Sequence, residues 1–262
     1  MITTRTTPRR RHARRRPQAR HGRRLFALGL VVVVALVLGV RFLDSGGTPT
    51  TTPALANPPR SELGPDGPPH LEALATAPDG LVLDMPIAQG RITAIVYHGV
   101  GNPAALPLTP NGHQLNAGLL ASIGNLLAGA GSQGPGYYIT SGGSGGGDTG
   151  SVDVGAVAGT NVYSPVDGRI VSMRPYVING KAWGSVIQIQ PAAAPAMILT
   201  ITNIHPARSL TVGETVGAAT SRLGTVADLS KAVQQVVANF TSDAGNHVHI
   251  EASQAPATAP IL

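Results

Sequence analysis

Cysteine is absent from the chain. That excludes disulfides, thiolate metal ligands and a thiol nucleophile, and it leaves the redox compartment open. Aromatic side chains are only 3% of the sequence and charged ones 12%. Glycine, alanine, valine and threonine abound instead, a composition that suits short strands and many turns better than a large helical core. Acidic residues are missing from the first 43 positions, whereas residues 1–24 carry ten arginines. From Asp44 onward eight basic residues face thirteen acidic ones, so the formal charge of +6 belongs to a tail. The basic balance therefore gives no argument for a nucleic-acid-binding domain.

The arginine-rich tail (1–24) leads into a run that is apolar except for Arg41, "LFALGLVVVVALVLGVRFL" (25–43). At about 1.5 Å per residue it spans roughly 28 Å, close to the hydrocarbon thickness of a bilayer. The excess of arginine before it predicts a single-pass membrane anchor with residues 1–24 cytoplasmic and the remainder extracytoplasmic. A cleaved signal peptide fits less well, because the A-x-A site Ala54-Leu55-Ala56 lies far beyond the apolar run. Residues 44–70 form a linker; within them 45–69 hold seven prolines and few bulky apolar side chains. Such a stretch cannot bury a core, and extended it reaches up to about 75 Å at about 3.1 Å per residue.

The folded part is expected over residues 71–253, with a short tail at 254–262. Strand-like runs rich in β-branched residues occur at 91–97, 136–140, 161–166, 169–174, 185–190, 197–204 and 247–252. The Asp-Gly of "PVDGRI" predicts a hairpin between two of them. Residues 115–130 and 227–240 show apolar residues in a helical rhythm, the second with Leu229, Val233, Val236, Val237 and Phe240 on one face. The expectation is a mainly β, mostly antiparallel domain with two inserted helices, the insertions falling at about 98–135 and 227–240.

Near the end, "HVHIE" (247–251) puts His247 and His249 on one face of a strand, because side chains i and i+2 point the same way. By itself an H-x-H pair in a strand is a weak signal that reads as packing ahead of metal binding. Three further stretches occur in order with it: "SVDVGAVAGTNVYSPVDGRIV" (151–171), "WGSVIQIQ" to "MILTITNIHP" (183–206) and "SLTVGETVGA" (209–218). Together they resemble the lysostaphin-type (LytM-like) murein metallopeptidases over roughly residues 85–253, with "PIAQGRITA" (86–94) as the first strand. The corresponding family motifs are H-x-G-x-D-I, A-P-x-G-T-x-V-Y-A-x-x-D-G-x-V, Y-x-H-L, G-x-x-V and H-L-H-F-E.

The resemblance implies a LytM-type antiparallel β core, described in the family as a duplicated hybrid motif with a barrel-sandwich-like shape. It also implies zinc-assisted hydrolysis of peptide bonds in peptidoglycan cross-links, three protein ligands holding the metal. By resemblance Asp153 and His249 fall on ligand positions, while His205 and His247 fall on the two catalytic histidines. The chain departs from the pattern at the first ligand, where Thr149 replaces histidine. Ser151 replaces the motif's glycine, Asn203 the tyrosine of Y-x-H-L and Pro206 its leucine. A neutral hydroxyl is a poor zinc ligand beside carboxylate and imidazole. The substitutes within reach are Asp148, adjacent in sequence, and His98, at the end of the first strand. His70 and His113 lie in linker-like or turn-like surroundings and are expected to face solvent.

The glycine run "SGGSGGGDTG" (141–150) formally contains G-x-G-x-x-G, but the residues after it read as strand and turn where a dinucleotide loop would open a helix. It is expected to be a loop beside the site. Two functional expectations emerge. One is a membrane-anchored domain of the murein metalloendopeptidase family that binds or acts on peptidoglycan, degenerate because of Thr149, with a cell-envelope protein as a further partner. The alternative is an active zinc endopeptidase in which His98 or Asp148 completes the site.

Overall fold

The computed structural model describes residues 66–118, 134–141 and 146–256. These belong to the larger of two compact units, 55–262; the other, 1–54, lies outside the described residues, and with it the arginine-rich tail and the expected anchor at 25–43. Among the described residues no helix is long and apolar enough to cross a membrane.

The domain is mainly β, as its composition predicts. In chain order the strands are β1 (Ala73–Thr76), β2 (Val82–Asp84), β3 (Ala94–His98), β4 (Thr109–Pro110), β5 (His113–Gln114), β6 (Gly136–Thr140) and β7 (Ser151–Gly155). After these come β8 (Asn161–Tyr163), β9 (Gly168–Ile178), β10 (Lys181–Pro191), β11 (Met197–Pro206), β12 (Thr215–Val216), β13 (Arg222–Val226) and β14 (His247–Gln254). The large sheet runs β12-β9-β10-β11-β14-β7-β3-β6-β5, with β13 and β8 branching from β11; a small sheet runs β2-β1-β4. Pairing is antiparallel except where β6 meets β3 and β5.

Three neighbouring strands, β3, β7 and β14, position the site. Alternation sends Ile95, Tyr97, Val152, Val154, Val248 and Ile250 into the main core, where they pack with Leu74, Leu83 and Met85 from the small sheet and the turn after it. Tyr97 also donates its phenol to the Leu74 carbonyl at 2.7 Å, so its one polar atom is satisfied inside the core. The alternate residues face the other way. At one end of that opposite face Ala94 and Val96 pack with Val237, Tyr138 and Phe240 in a second, smaller cluster.

Two local expectations are corrected. Residues 227–240 do not form a helix. They cross the face of the sheet in turns, with a single 3-10 turn at Val236–Asn239. Leu229 and Val237 are buried, but Val233 and Val236 are about half exposed, so the apolar residues serve two surfaces and not one helical stripe. Asn246 accepts from the Leu229 amide at 2.9 Å, and Gly155 leaves room for Val237: a Cβ there would stand 3.0 Å from its Cγ1. The other expected helix, 115–130, is not helical over 115–118, and its remainder lies outside the described residues.

The hairpin is the second correction. The Asp-Gly of 167–168 does not join paired strands, since β8 pairs with β13 while β9 pairs with β10 and β12. Asp167 instead accepts the Ala218 amide at 2.8 Å and ties that turn to the segment after β12. The long hairpin is β9–β10, and it turns at Asn179-Gly180, both with positive φ (50° and 77°) as its tight right-twisted turn demands.

Candidate metal centre

The register of the three central strands brings the site together. His249 on β14 lies directly opposite Asp153 on β7, and His98 on β3 lies opposite Ser151, two residues away along the same face. His249 Nδ1 is 2.7 Å from Asp153 Oδ1, and His98 Nε2 is 3.1 Å from Asp153 Oδ2. Among the described residues these three are the one group of His, Asp or Glu side chains whose donor atoms all lie within 4.8 Å of one another. The contacts converge from three strands distant in sequence, so each imidazole is held by a hydrogen-bonded backbone.

Asp153 is 3% exposed, and its ion-pair partners among the described residues are histidines, with no lysine or arginine against it. Burial alone would push its carboxyl up. The positive potential of His247 and the hydrogen bonds from His249 and His98 outweigh that and hold it well below the usual carboxylate range. For His98 burial works to lower the pKa, but the hydrogen bond and charge of Asp153, with the Gly99 carbonyl, leave it raised. His98 Nδ1 faces that carbonyl at 2.8 Å, and the Ser151 hydroxyl donates to the His98 carbonyl at 3.1 Å. The His98 side chain is therefore supported from behind, as metal-binding imidazoles are.

The other site residues named by the sequence are placed as follows. His247 is buried beside the group, its Nε2 3.4 Å from Asp153 Oδ2 and its Nδ1 2.9 Å from the Gly245 carbonyl. Thr149 is half-buried at the end of a 3-10 turn, Gly147–Thr149, where its carbonyl accepts the Leu108 amide; Asp148, in the same turn, is exposed. Neither joins the group of donors. His205 sits near the end of β11, exposed, opposite Thr225, and does not line the cavity that the group forms. His70 is exposed as expected; His113 is half-buried on β5 with its Nδ1 unpartnered.

That cavity has a volume of about 320 Å³. His98, Asp153, His247 and His249 line it, together with Tyr176 of the β9–β10 hairpin and the 229–236 crossing. Two larger hollows, of about 460 and 730 Å³, lie elsewhere and gather no more than one acidic side chain between them.

Sequence reading did not single out Asn203 as a member of the site, only as a departure from a motif. In the structure it is buried, it lines the cavity, and its Nδ2 is 2.9 Å from His247 Nε2. A bulge puts it there. Ser185 of β10 pairs with Ile204 and Ile187 with Ile201, so β11 has one residue too many, and Asn203 takes a left-handed conformation at φ 63°. Asparagine in place of a larger residue was the available signal, because asparagine is among the few side chains that accept that conformation.

Strand β14 with H-x-H lies antiparallel to the β7 strand that carries the aspartate, so two of the ordered motifs meet in one place. The chain resembles the lysostaphin-type metallopeptidases. Solved structures similar to it include lysostaphin (17% identity, 41% of this chain and 37% of that one, TM-score 0.29). Pseudoalterin, an M23 metalloprotease described from the deep sea, overlaps 66% of this chain and 70% of its own at 14% identity and TM-score 0.33. A zinc-containing peptidase from Vibrio cholerae overlaps 69% of this chain and 43% of its own at 14% identity and TM-score 0.30. The chain thus spans little more than a third of lysostaphin's length. No protein-family model and no curated protein sequence matches it. With overlaps this partial, the chemistry has to be taken from the side chains themselves.

The donor set fits a zinc ion. Two imidazoles and one carboxylate are borderline nitrogen and hard oxygen ligands of the kind catalytic zinc takes, in the number that leaves a position open. The buried carboxylate, ringed by imidazoles and without a fixed cation, is suited to a positive charge at their centre.

Proposed function

We propose that this domain is an extracytoplasmic, zinc-dependent peptide hydrolase acting on peptidoglycan, tethered to the membrane by residues 25–43, with His98, Asp153 and His249 as the metal ligands. The observation that carries the reading is the closure of His98, from β3, on the Asp153 oxygen left free by His249. It supplies the third strong donor that Thr149 does not. Bound zinc would polarise a substrate carbonyl as a Lewis acid. Without the metal Asp153 gathers both imidazoles by hydrogen bonds to the nitrogens that would ligate it, and the Gly99 carbonyl at His98 Nδ1 and the Ser151 hydroxyl at the His98 carbonyl hold His98 in place. His247, buried at the cavity and outside the ligand group, is the imidazole positioned to take a proton.

Purified full-length chain tests this directly. Elemental analysis should find about one zinc per chain, removable by a chelator and absent from His98→Gln. Mass spectrometry of muropeptides incubated with the zinc-loaded protein should show peptide-bond cleavage that the stripped protein does not produce.

A second reading, a metal-free module that binds wall peptide or an envelope partner, draws on one observation: His205 is exposed and away from the cavity. A chain without zinc and without cleavage, yet sedimenting with insoluble peptidoglycan, would establish that reading in place of the first.

A further inference from the structure

The strands that bear the metal centre carry a second concavity on the same face of the sheet. Alternation sends Ile187, Ile189, Leu199, Ile201, Ile250 and Ala252 into the core. Their neighbours along the chain face the other way, with His249. Register sets Ser172 and Thr200 on either side of Gln188, Ile198 against Ser253, and Thr202 against His249. At the end of this face away from the metal centre opens a hollow of about 730 Å³, lined by Ser172, Gln188, Gln190, Ile198 and Ser253. Its wall is the β10–β11 turn and the segment after β14, joined where the Ala255 amide donates to the Ala196 carbonyl at 2.8 Å. Gln190 Nε2 donates to the Pro195 carbonyl at 2.8 Å and is braced against that wall. The Gln188 amide and the Ser172 and Ser253 hydroxyls are half-buried, with no hydrogen-bond partner among the described residues. Among those residues no charged side chain and no aromatic ring lines the hollow.

We propose that this hollow is a glycan subsite: it holds an N-acetylated sugar of the wall polymer while the peptide attached to that sugar reaches the metal centre. The inference rests on the hydrolase reading for the peptide half, though not for the sugar. Wall peptides carry ionised carboxylates and amines, which a lining without charge does not match. N-acetylated sugars are neutral and present hydroxyls and acetamides. Glutamine amides and serine hydroxyls both donate and accept, as those groups require, and Ile198 and Val171 give the acetyl methyl an apolar contact. Half-buried polar groups that lack partners gain most from a ligand that supplies them. The spacing agrees. Ser253 is four residues along β14 from His249 on the same face, about 13 Å at about 3.3 Å per residue. An extended peptide covers that span in about four residues, so a seated sugar sets how far along the peptide the metal centre falls. Thr200 and Glu251 lie between, opposite each other, so charge enters only along the peptide half.

The test is an amide and methyl NMR titration of the metal-stripped full-length chain with a peptide-free tetramer of N-acetylglucosamine. Cellotetraose, which lacks the acetamides, is the control. Shifts should gather on Gln188, Gln190, Ile198 and Ser253 with a Kd on the order of 1 mM, a modest affinity because no ring offers a stacking surface. Cellotetraose should bind about 5-fold more weakly, the size of one lost hydrogen bond. Gln188→Ala should weaken the tetramer by about 5-fold while its melting temperature stays that of the wild type. With the zinc-loaded chain, a stem peptide still joined to its sugars should show a KM about 5-fold below that of the same peptide alone, and Gln188→Ala should bring the two values together. No shifts at the hollow with about 10 mM tetramer, equal binding of cellotetraose, or an unaltered affinity in Gln188→Ala overturns the proposal. Shifts at these residues that follow protein concentration and not sugar give the face to a second copy of the chain, and overturn it as well. A chain that binds the tetramer in this way but holds no zinc and cleaves nothing counts against the hydrolase reading and leaves the sugar subsite standing.

Discussion

The two faces of β3, β7 and β14 are built from the same three short segments in alternation, yet they do opposite things. One face is Ile95, Tyr97, Val152, Val154, Val248 and Ile250, each at most 2% exposed. The other is Val96, His98, Ser151, Asp153, His247 and His249, where five polar side chains are brought within contact of one another. The first face gains free energy from apolar burial, at roughly 25 cal/mol per Å². The second must desolvate a carboxylate and hold three imidazoles at close quarters, an arrangement that costs stability unless hydrogen bonds compensate. The difference teaches that the core face holds the backbone register, and the register then places the site. Neither the histidines nor the aspartate are positioned by their own preferences.

Substitutions on the two faces should separate these roles. His98→Gln has the largest expected effect on function: zinc content should fall from about one per chain to background, since a three-ligand site loses a ligand, with the metal-free melting temperature little altered. Retained zinc in that variant would mean the third ligand lies elsewhere. On the opposite face Ile250→Ala should lower unfolding free energy by about 2–5 kcal/mol in denaturant titration, while zinc per folded chain stays the same.

Gly155 tests where the site face stops being open. A Cβ there would meet Thr93 Oγ1 at 2.9 Å and Val237 Cγ1 at 3.0 Å, so Gly155→Ala should cost about 1–3 kcal/mol by crowding the 228–240 crossing. Tyr97→Phe removes the phenol's hydrogen bond to the Leu74 carbonyl, which keeps the Asn111 amide as a donor, and should cost about 1 kcal/mol. The smallest effect is expected at the position where the family motif has its first ligand: Thr149→Ala should change stability by no more than about 0.5 kcal/mol and leave zinc content as it was. A loss of zinc from Thr149→Ala would restore that residue to the site and break the assignment to β3.

The alternation of apolar and polar residues in "SVDVG" and "HVHIE" made their strands and faces legible without coordinates, because a period of two admits one pairing of faces. His247 and His249 on one side came from that pattern, and Asp153 joined them through the family resemblance; that its strand pairs with theirs came from the structure. The 227–240 segment was misread because its valines look like one helical face in projection; in space Val237 goes under the segment and Val233 and Val236 stay at the cavity mouth. The Asp-Gly turn was misread because a turn signal does not say whether the flanking strands pair.

By itself, then, the sequence determined a mainly β domain and the shared face of His247 and His249, and its resemblance to a metallopeptidase family pointed to a donor set lacking one member. Which histidine comes beside Asp153 depends on which strand lies beside β7, and that pairing joins residues more than fifty positions apart through backbone hydrogen bonds that any strand can offer. Local pattern does not encode such a choice; packing of the whole core does. The same holds for Asn203, whose amide reaches His247 only after a one-residue bulge in β11 has turned it round.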